Sequence, residues 1–402
     1  MLRIDEIYNN TFWPWIKQHH PGVRLFYCDP FGQTDPDSLV NYGDNHIREY
    51  NYTLLWDQEP IHLNVHLPTF DCVIEKNKEL YNYINSCRRR GKSYKSIGSI
   101  ITSERDSDAV DIICKKYEWK SYYYFFHGWA ALDWYRGYDR TFLIKPWQER
   151  KISKTFITPN RIVAGARQHR LEMLYWIFKL GMTDNHISCP ETCPAEGISI
   201  HDAVQPLISK YPDIDAVFAQ QLLPLNFAGE TDHPMHSCWL SLFDQAAESL
   251  LYLVTETVAI GRRHHLTEKT FKPIAMGMPF IIVGTQGSLR YLRSYGFKTF
   301  GDLWDESYDD EPDDSKRIEK IAQVLKLLDG LEEHRQDIFE SAWEIVEHNW
   351  NHFYNGGFET ILWQELKDML NELEFDCGPL SQGQNISSVG PTSGPTLRTR
   401  LA

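Results

Sequence analysis

Residues 250–300 read LLYLVTETVAIGRRHHLTEKTFKPIAMGMPFIIVGTQGSLRYLRSYGFKTF. Two short apolar runs stand at 250–254 and 280–283, the second entered from Pro279 and left at Gly284. Aliphatic, β-branched and aromatic runs of this length, bounded by turn residues, predict buried strands. Between them Thr267 is a good N-cap, Glu268 follows it and Gly277 is a stop, which predicts a helix opening at Thr267-Glu268-Lys269. Pro273 removes one backbone donor within that helix. Strand, helix, strand is the unit of a parallel wound sheet, so the fold class expected is α/β. A lysine in a first helical turn opposes the helix dipole unless an anion docks there. Arg262, Arg263, His264 and His265 come just before it. Such a cluster at a helix start suits a diphosphate; a solvated charged loop is the plainer alternative. Gly284-Thr285-Gln286-Gly287-Ser288 leads out of the second strand and offers a second set of bare backbone donors.

The alternation continues outward. Residues 155–158 predict a strand leading to Asn160-Arg161. Leu171, Leu174, Tyr175 and Phe178 then fall at helical spacing, with Gly181 as a stop. Residues 216–219 (AVFA) predict a further strand. Ser315 is expected to open a helix carrying Ile318, Ile321, Leu325 and Leu328, closed by Gly330, with more helices around 342–350 and 361–370. Toward the N-terminus, residues 23–28, 53–56, 99–102 and 122–126 predict four strands. They end in Asp29-Pro30, Asp57-Gln58-Glu59-Pro60, Ser103-Glu104 and His127-Gly128. Polar residues often just end strands, but in open wound sheets ligands also collect at carboxyl ends.

A chain of 402 residues suggests two or three domains. A boundary is expected near 145–154, giving wound domains at 1–150 and 151–377 that face each other across a cleft. Residues 378–402, mostly Gly, Ser, Pro, Thr and Gln, predict a disordered tail. The net charge of −14 argues against a protein built to hold nucleic-acid backbones. Arg88-Arg89-Arg90-Gly91-Lys92 is a local exception, readable as a solvated helix end or a contact for an anionic acceptor. Aromatic residues at 13 % suit large cores and sugar-stacking surfaces alike. No run approaches the roughly eighteen apolar residues of a membrane span. The acidic start is unlike a signal peptide. Eight irregularly spaced cysteines read as reduced thiols, which points to a cytoplasmic protein. His186, Cys189, Cys193 and His201 have loose metal-ligand spacing without the tight pair of a zinc knuckle, so no metal is expected. Residues 309–314 are acidic around Pro312 and read as a solvated linker before the next helix.

Three features together carry a resemblance. They are Thr267-Glu268-Lys269, a strand ending in Glu256 before it, and the step Gly277-Met278-Pro279 into an apolar strand after it. The segment resembles the donor-binding half of the alpha-1,3-fucosyltransferase family, and similar segments occur in glycosyltransferase-like proteins of bacteria and tailed viruses. The resemblance implies the GT-B architecture of two Rossmann-like domains, with the nucleotide sugar held mainly by the second. It implies that Glu268 binds the ribose and Lys269 the diphosphate, with Glu256, His265 and Thr267 in the donor-binding set. An arginine from an earlier strand end reaches the diphosphate in that family. Arg161 is the closest counterpart, with Arg167 and Arg170 as rivals. The family's base is a Glu followed closely by Pro in the first domain, which matches Glu59 in Trp56-Asp57-Gln58-Glu59-Pro60. Asp57 is the nearest alternative base, and capping the next segment is the structural alternative for Glu59. His265 stands where the family usually has Tyr, and Gly261-Arg262-Arg263-His264 lengthens the gap after Glu256.

The implied activity is inverting, metal-independent transfer from a nucleotide sugar, a fucosyl donor by resemblance, to a hydroxyl of a glycan-type acceptor. No other cofactor is implied, and a nucleic-acid base stays open as an acceptor. The location would be the host cytoplasm for a viral member. Such transfer needs a base on the acceptor hydroxyl and charge stabilisation of the departing diphosphate. A catalytically silent module that keeps the nucleotide pocket is the alternative from another functional class.

Overall fold

The computed structural model describes residues 12–20, 25–27, 53–56, 60–64, 67–68, 70–71, 99–137, 147–227 and 239–377. Glu59, Asp57, the basic run 88–92 and the tail 378–402 lie outside the described residues. Among those described, no helix is long and apolar enough to cross a membrane.

Strands β1 (Leu25–Tyr27), β2 (Thr53–Trp56), β3 (Ser99–Thr102) and β4 (Lys120–Tyr123) form a parallel sheet in the order β1-β2-β3-β4. Strands β5 (Lys154–Thr158) and β6 (His186–Ile187) come next, then a small antiparallel ribbon of β7 (Thr192–Cys193) and β8 (Ile198–Ser199). Finally β9 (Ser249–Thr255) and β10 (Phe280–Val283) complete a second parallel sheet in the order β10-β9-β5-β6. The chain is thus an α/β protein, with two parallel sheets among the described residues.

Around them lie helices α1 (Trp13–His19), α2 (Asp108–Tyr117), α3 (Phe126–Tyr135), α4 (His169–Lys179), α5 (Ile214–Ala219), α6 (Glu268–Ala275), α7 (Ser288–Ser294), α8 (Asp314–Asp329), α9 (Arg335–Tyr354) and α10 (Gly357–Cys377). The helix expected from Leu171 to Phe178 is α4, and those four apolar residues are buried. The strand expected at 216–219 is instead part of α5. Its buried residues, Ile214 and Phe218, stand four apart, one face of a helix, and four apolar letters alone carry no period. The fourth N-terminal strand stops at Tyr123, and Phe126 already opens α3. That helix is apolar nearly all round, which hides its period. Helix α8 begins one residue before Ser315, because Asp313 caps it by accepting the Ser315 and Lys316 N–H groups at 3.1 and 2.9 Å.

Alternation along the first sheet divides the core. Trp56 and Ile100 pack with Ala109, Val110 and Ile113 of α2. Their neighbours Leu55 and Ile101 face the opposite way, into a larger core with α3, the second sheet and α10. Helix α10 closes over the first sheet: Glu365 accepts the Phe125 N–H at 2.7 Å, Glu372 pairs with Lys120 at 2.7 Å, and Trp363 packs edge-on to Trp129. The segment after β9 also reaches across. Arg105 and His264 exchange backbone hydrogen bonds at 3.0 and 2.7 Å. Arg263 Nη1 donates to the Ile61 carbonyl at 3.0 Å and to the buried Glu104 carboxylate at 3.2 Å. Glu104 in turn accepts the Ile61 N–H and the Ser107 hydroxyl. Arg262 pairs with Asp108 and Asp111 in the open.

Removing one partner of a buried pair leaves an uncompensated charge, whereas exposed pairs contribute little. Glu104→Ala is therefore expected to lower unfolding stability by about 3–5 kcal/mol in urea titrations. Arg262→Ala should leave the midpoint almost where it is, and equal losses from the two would refute this ranking.

Candidate functional site

The strand order decides where a ligand would go. From β5 the chain moves outward to β6, then returns to place β9 on the other side of β5. The order therefore reverses between β5 and β9, and crevices at such switch points are the usual ligand sites of wound sheets. Past the two carboxyl ends stand Asn160-Arg161 and Glu256-Thr257. Thr255 Oγ1 donates to Asn160 Oδ1 at 2.8 Å, which ties the ends together. Arg170 is buried beneath them and donates to the carbonyls of Ile162 at 2.8 Å and of Thr255 and Glu256 at 3.1 Å. Burial, helped by the Arg167 charge, lowers its pKa to about 10. Arg170 is thus occupied in bracing strand ends. Arg161, half-buried, lies directly past β5 as the sequence suggested.

Glu256 is completely buried, and its carboxylate organises the start of α6. Oε1 accepts the Thr267 N–H at 3.0 Å and the Thr270 hydroxyl at 2.6 Å. Oε2 accepts the Thr257 N–H at 3.0 Å and the Thr267 hydroxyl at 2.6 Å. Four donors saturate the carboxylate, so Glu256 supports the site from below. Thr267 is the N-cap, its hydroxyl accepting the Lys269 N–H at 3.4 Å. Lys269 then sits on the first turn, its ammonium 2.6 Å from Glu268 and 3.2 Å from the Thr257 hydroxyl. Its side chain keeps 27 % exposure while that of Glu268 keeps 7 %. Burial pushes the Glu268 carboxyl up, but Lys269, then His127 and Lys272, carry it down to about 2. The carboxylate is therefore charged throughout the physiological range.

Glu256, Thr267, Glu268 and Lys269 thus form one bonded cluster, and His265 is buried beside it. Facing His265 is His127, whose ring lies 5.0 Å away at 84°. It stands in the first turn of α3, and Tyr135 at the other end of that helix donates to the Glu268 carbonyl at 3.2 Å. Burial, outweighing Glu268, lowers the His127 pKa to about 4. Burial also holds His265 well below its ordinary value, with His127 and Arg263 adding to the effect. His127 is the functional candidate missed by spacing; its signal was the position at a strand end.

Other expectations need correction. Arg262 and Arg263 do not join Lys269 as a diphosphate cluster, because carboxylates of the first half hold both. His264 stacks on Tyr291 with ring centroids 5.5 Å apart. Nor does the end of the loop 284–288, where it enters α7, offer bare donors. Asp309 reaches into the start of α7, its carboxylate accepting the Leu289 and Arg290 N–H groups at 2.9 and 3.0 Å. Its carbonyl accepts the Gly287 N–H at 2.8 Å. Asp309 is buried, so the acidic stretch is not simply a solvated linker. Gly287 has φ +77°, a left-handed conformation that suits glycine at this turn. Cys189 and Cys193 are buried free thiols, Cys193 donates to Glu196 at 2.6 Å, and His186 pairs with Glu248. Among the described residues, no group of three His, Cys, Asp or Glu side chains is placed to hold a metal ion.

Comparison with protein families, curated proteins and solved structures finds no match to this chain.

The buried imidazole has a consequence for stability. His127 titrates near 4 when folded against 6.5 ordinarily, so the unfolded chain binds the proton first. Its contribution is complete above pH 6.5 and is lost as pH falls from there toward 4. Between pH 7 and pH 5 this loss amounts to about 2 kcal/mol. In urea titrations His127→Gln should lose correspondingly less stability over that interval than the wild type. Parallel losses would contradict a neutral, buried His127.

Proposed function

We propose that the chain is a glycosyltransferase with a GT-B-like pairing of two Rossmann-like halves, using a nucleoside-diphosphate sugar as donor. One observation carries the reading. A partly exposed ammonium, Lys269, stands on the first turn of a capped helix at the switch point of a parallel sheet. Helix N-termini favour anions, and a cation there adds a charge-assisted contact to phosphate. Glu268, ionised and buried alongside, accepts hydroxyl donors, which suits a ribose. In this reading Arg161 approaches the same diphosphate from the end of β5, and Glu256 and Thr267 hold the helix start in place.

The transfer itself has two demands. As the acceptor hydroxyl attacks the anomeric carbon, a carboxylate takes its proton, and the resemblance assigns that role to Glu59. Negative charge builds on the departing diphosphate, and Lys269 with Arg161 offsets it. Attack opposite the leaving group inverts the anomeric centre. The acceptor is a hydroxyl on a glycan or similar molecule, and the setting is cytoplasmic.

Calorimetric titration with GDP, UDP and the corresponding nucleotide sugars tests the donor site. Lys269→Ala should weaken nucleoside-diphosphate binding by about 1.5–3 kcal/mol while the protein stays folded. Unchanged affinity would remove Lys269 from the site. Glu59→Gln keeps the shape and removes the base, so turnover should fall about 10²–10⁴-fold with donor affinity unaltered. Full activity in that variant would leave the chain without its assigned base.

A further inference from the structure

We propose that His127, supplied by the first half, joins His265 in a neutral imidazole pair that recognises hydroxyl groups of the donor's sugar. The inference rests on the nucleotide-sugar reading above and adds to it a subsite and the chemistry of its ligand.

Both side chains are buried, with relative exposures of 3 % and 1 %. Neither ring nitrogen of His127 meets a hydrogen-bond partner among the described residues. His265 has no well-formed bond at either nitrogen; its nearest approach to one is a weak contact with the Ser103 backbone, which favours its charged form. The Ser103 hydroxyl beside them is buried without a partner as well. An unsatisfied buried polar atom is destabilising, so several in one place call for a reason.

Location supplies the reason. His265 stands two residues before the capping Thr267, and the His127 ring lies 5.0 Å from it, so the pair adjoins the cluster read as the ribose and diphosphate site. A donor's sugar is bonded directly to its diphosphate, and the ground next to Lys269 is where that sugar must fall. The chemistry agrees. A neutral imidazole carries one N–H donor and one acceptor nitrogen, and a hydroxyl both donates and accepts. An oxyanion only accepts and would leave the acceptor nitrogens unmet.

The test compares GDP with GDP-fucose, and UDP with UDP-glucose, by calorimetry on the wild type, His127→Phe and His265→Phe. The sugar-bearing ligand that binds the wild type better than its bare nucleotide should lose about tenfold or more in each variant. Affinity for the bare nucleoside diphosphate should stay within about twofold. If the wild type binds none of the nucleotides, the donor reading fails and this subsite with it. If nucleotides bind but the sugar's share survives both substitutions, the subsite alone is wrong. Loss of bare-nucleotide affinity in folded variants would assign the pair to phosphate and overturn the proposal. Imidazole ¹⁵N NMR of the wild type covers variants that do not fold. The nucleotide sugar should shift a ring nitrogen of His127 where the bare nucleotide does not, and identical spectra with the two would overturn the assignment.

Discussion

The carboxylate of Glu256 is the constraint on which the site depends. A buried ion is tolerated only when donors surround it, and here all four come from Thr257, Thr267 and Thr270. That requirement pins the start of α6 against the end of β9 although ten residues intervene between Glu256 and Thr267. The intervening chain has to loop outward, and it does so toward the first sheet. Arg263 meets Glu104, His264 bridges to Arg105, and Arg262 finds Asp108 and Asp111. One hydrogen-bonded carboxylate thus sets both the direction of Lys269 and the contact between the two sheets.

The same electrostatic logic distinguishes the two helix starts of the second sheet. Helix α7 has its N–H groups answered by Asp309, an internal anion, and so has no unmet demand for an external one. Helix α6 begins instead with a capping threonine and a lysine whose ammonium is only partly covered. Its counterion within the chain is Glu268, which burial disfavours and the lysine keeps ionised. The first half contributes to this end through Tyr135, which bonds the Glu268 carbonyl, and through the His127 ring.

Much of this was legible in the sequence. The strands at Phe280–Val283 and Thr53–Trp56, and the capped helix at Thr267, followed from apolar runs between strong turn residues. What failed were inferences that needed a partner from far along the chain. Arg262 and Arg263 look like a phosphate cluster until Asp108, Asp111 and Glu104 are folded beside them. The 284–288 loop looks open until Asp309 folds back on it from more than twenty residues ahead. Short apolar runs misled in another way: at Ile214–Ala219 the four apolar letters are too few to carry a period, and at Phe126–Tyr135 burial on nearly every side erases the period that separates helix from strand. His127 was visible only as a residue at a strand end, since its pairing with His265 joins positions from different halves of the sequence.

A crystal structure grown with a nucleoside diphosphate would show whether the α6 start holds it. Our expectation is phosphate oxygens within hydrogen-bonding distance of Lys269 Nζ, at the crevice between the ends of β5 and β9. A nucleotide bound at the α7 start in place of Asp309, or anywhere that leaves Lys269 engaged only with Glu268 and Thr257, would contradict it.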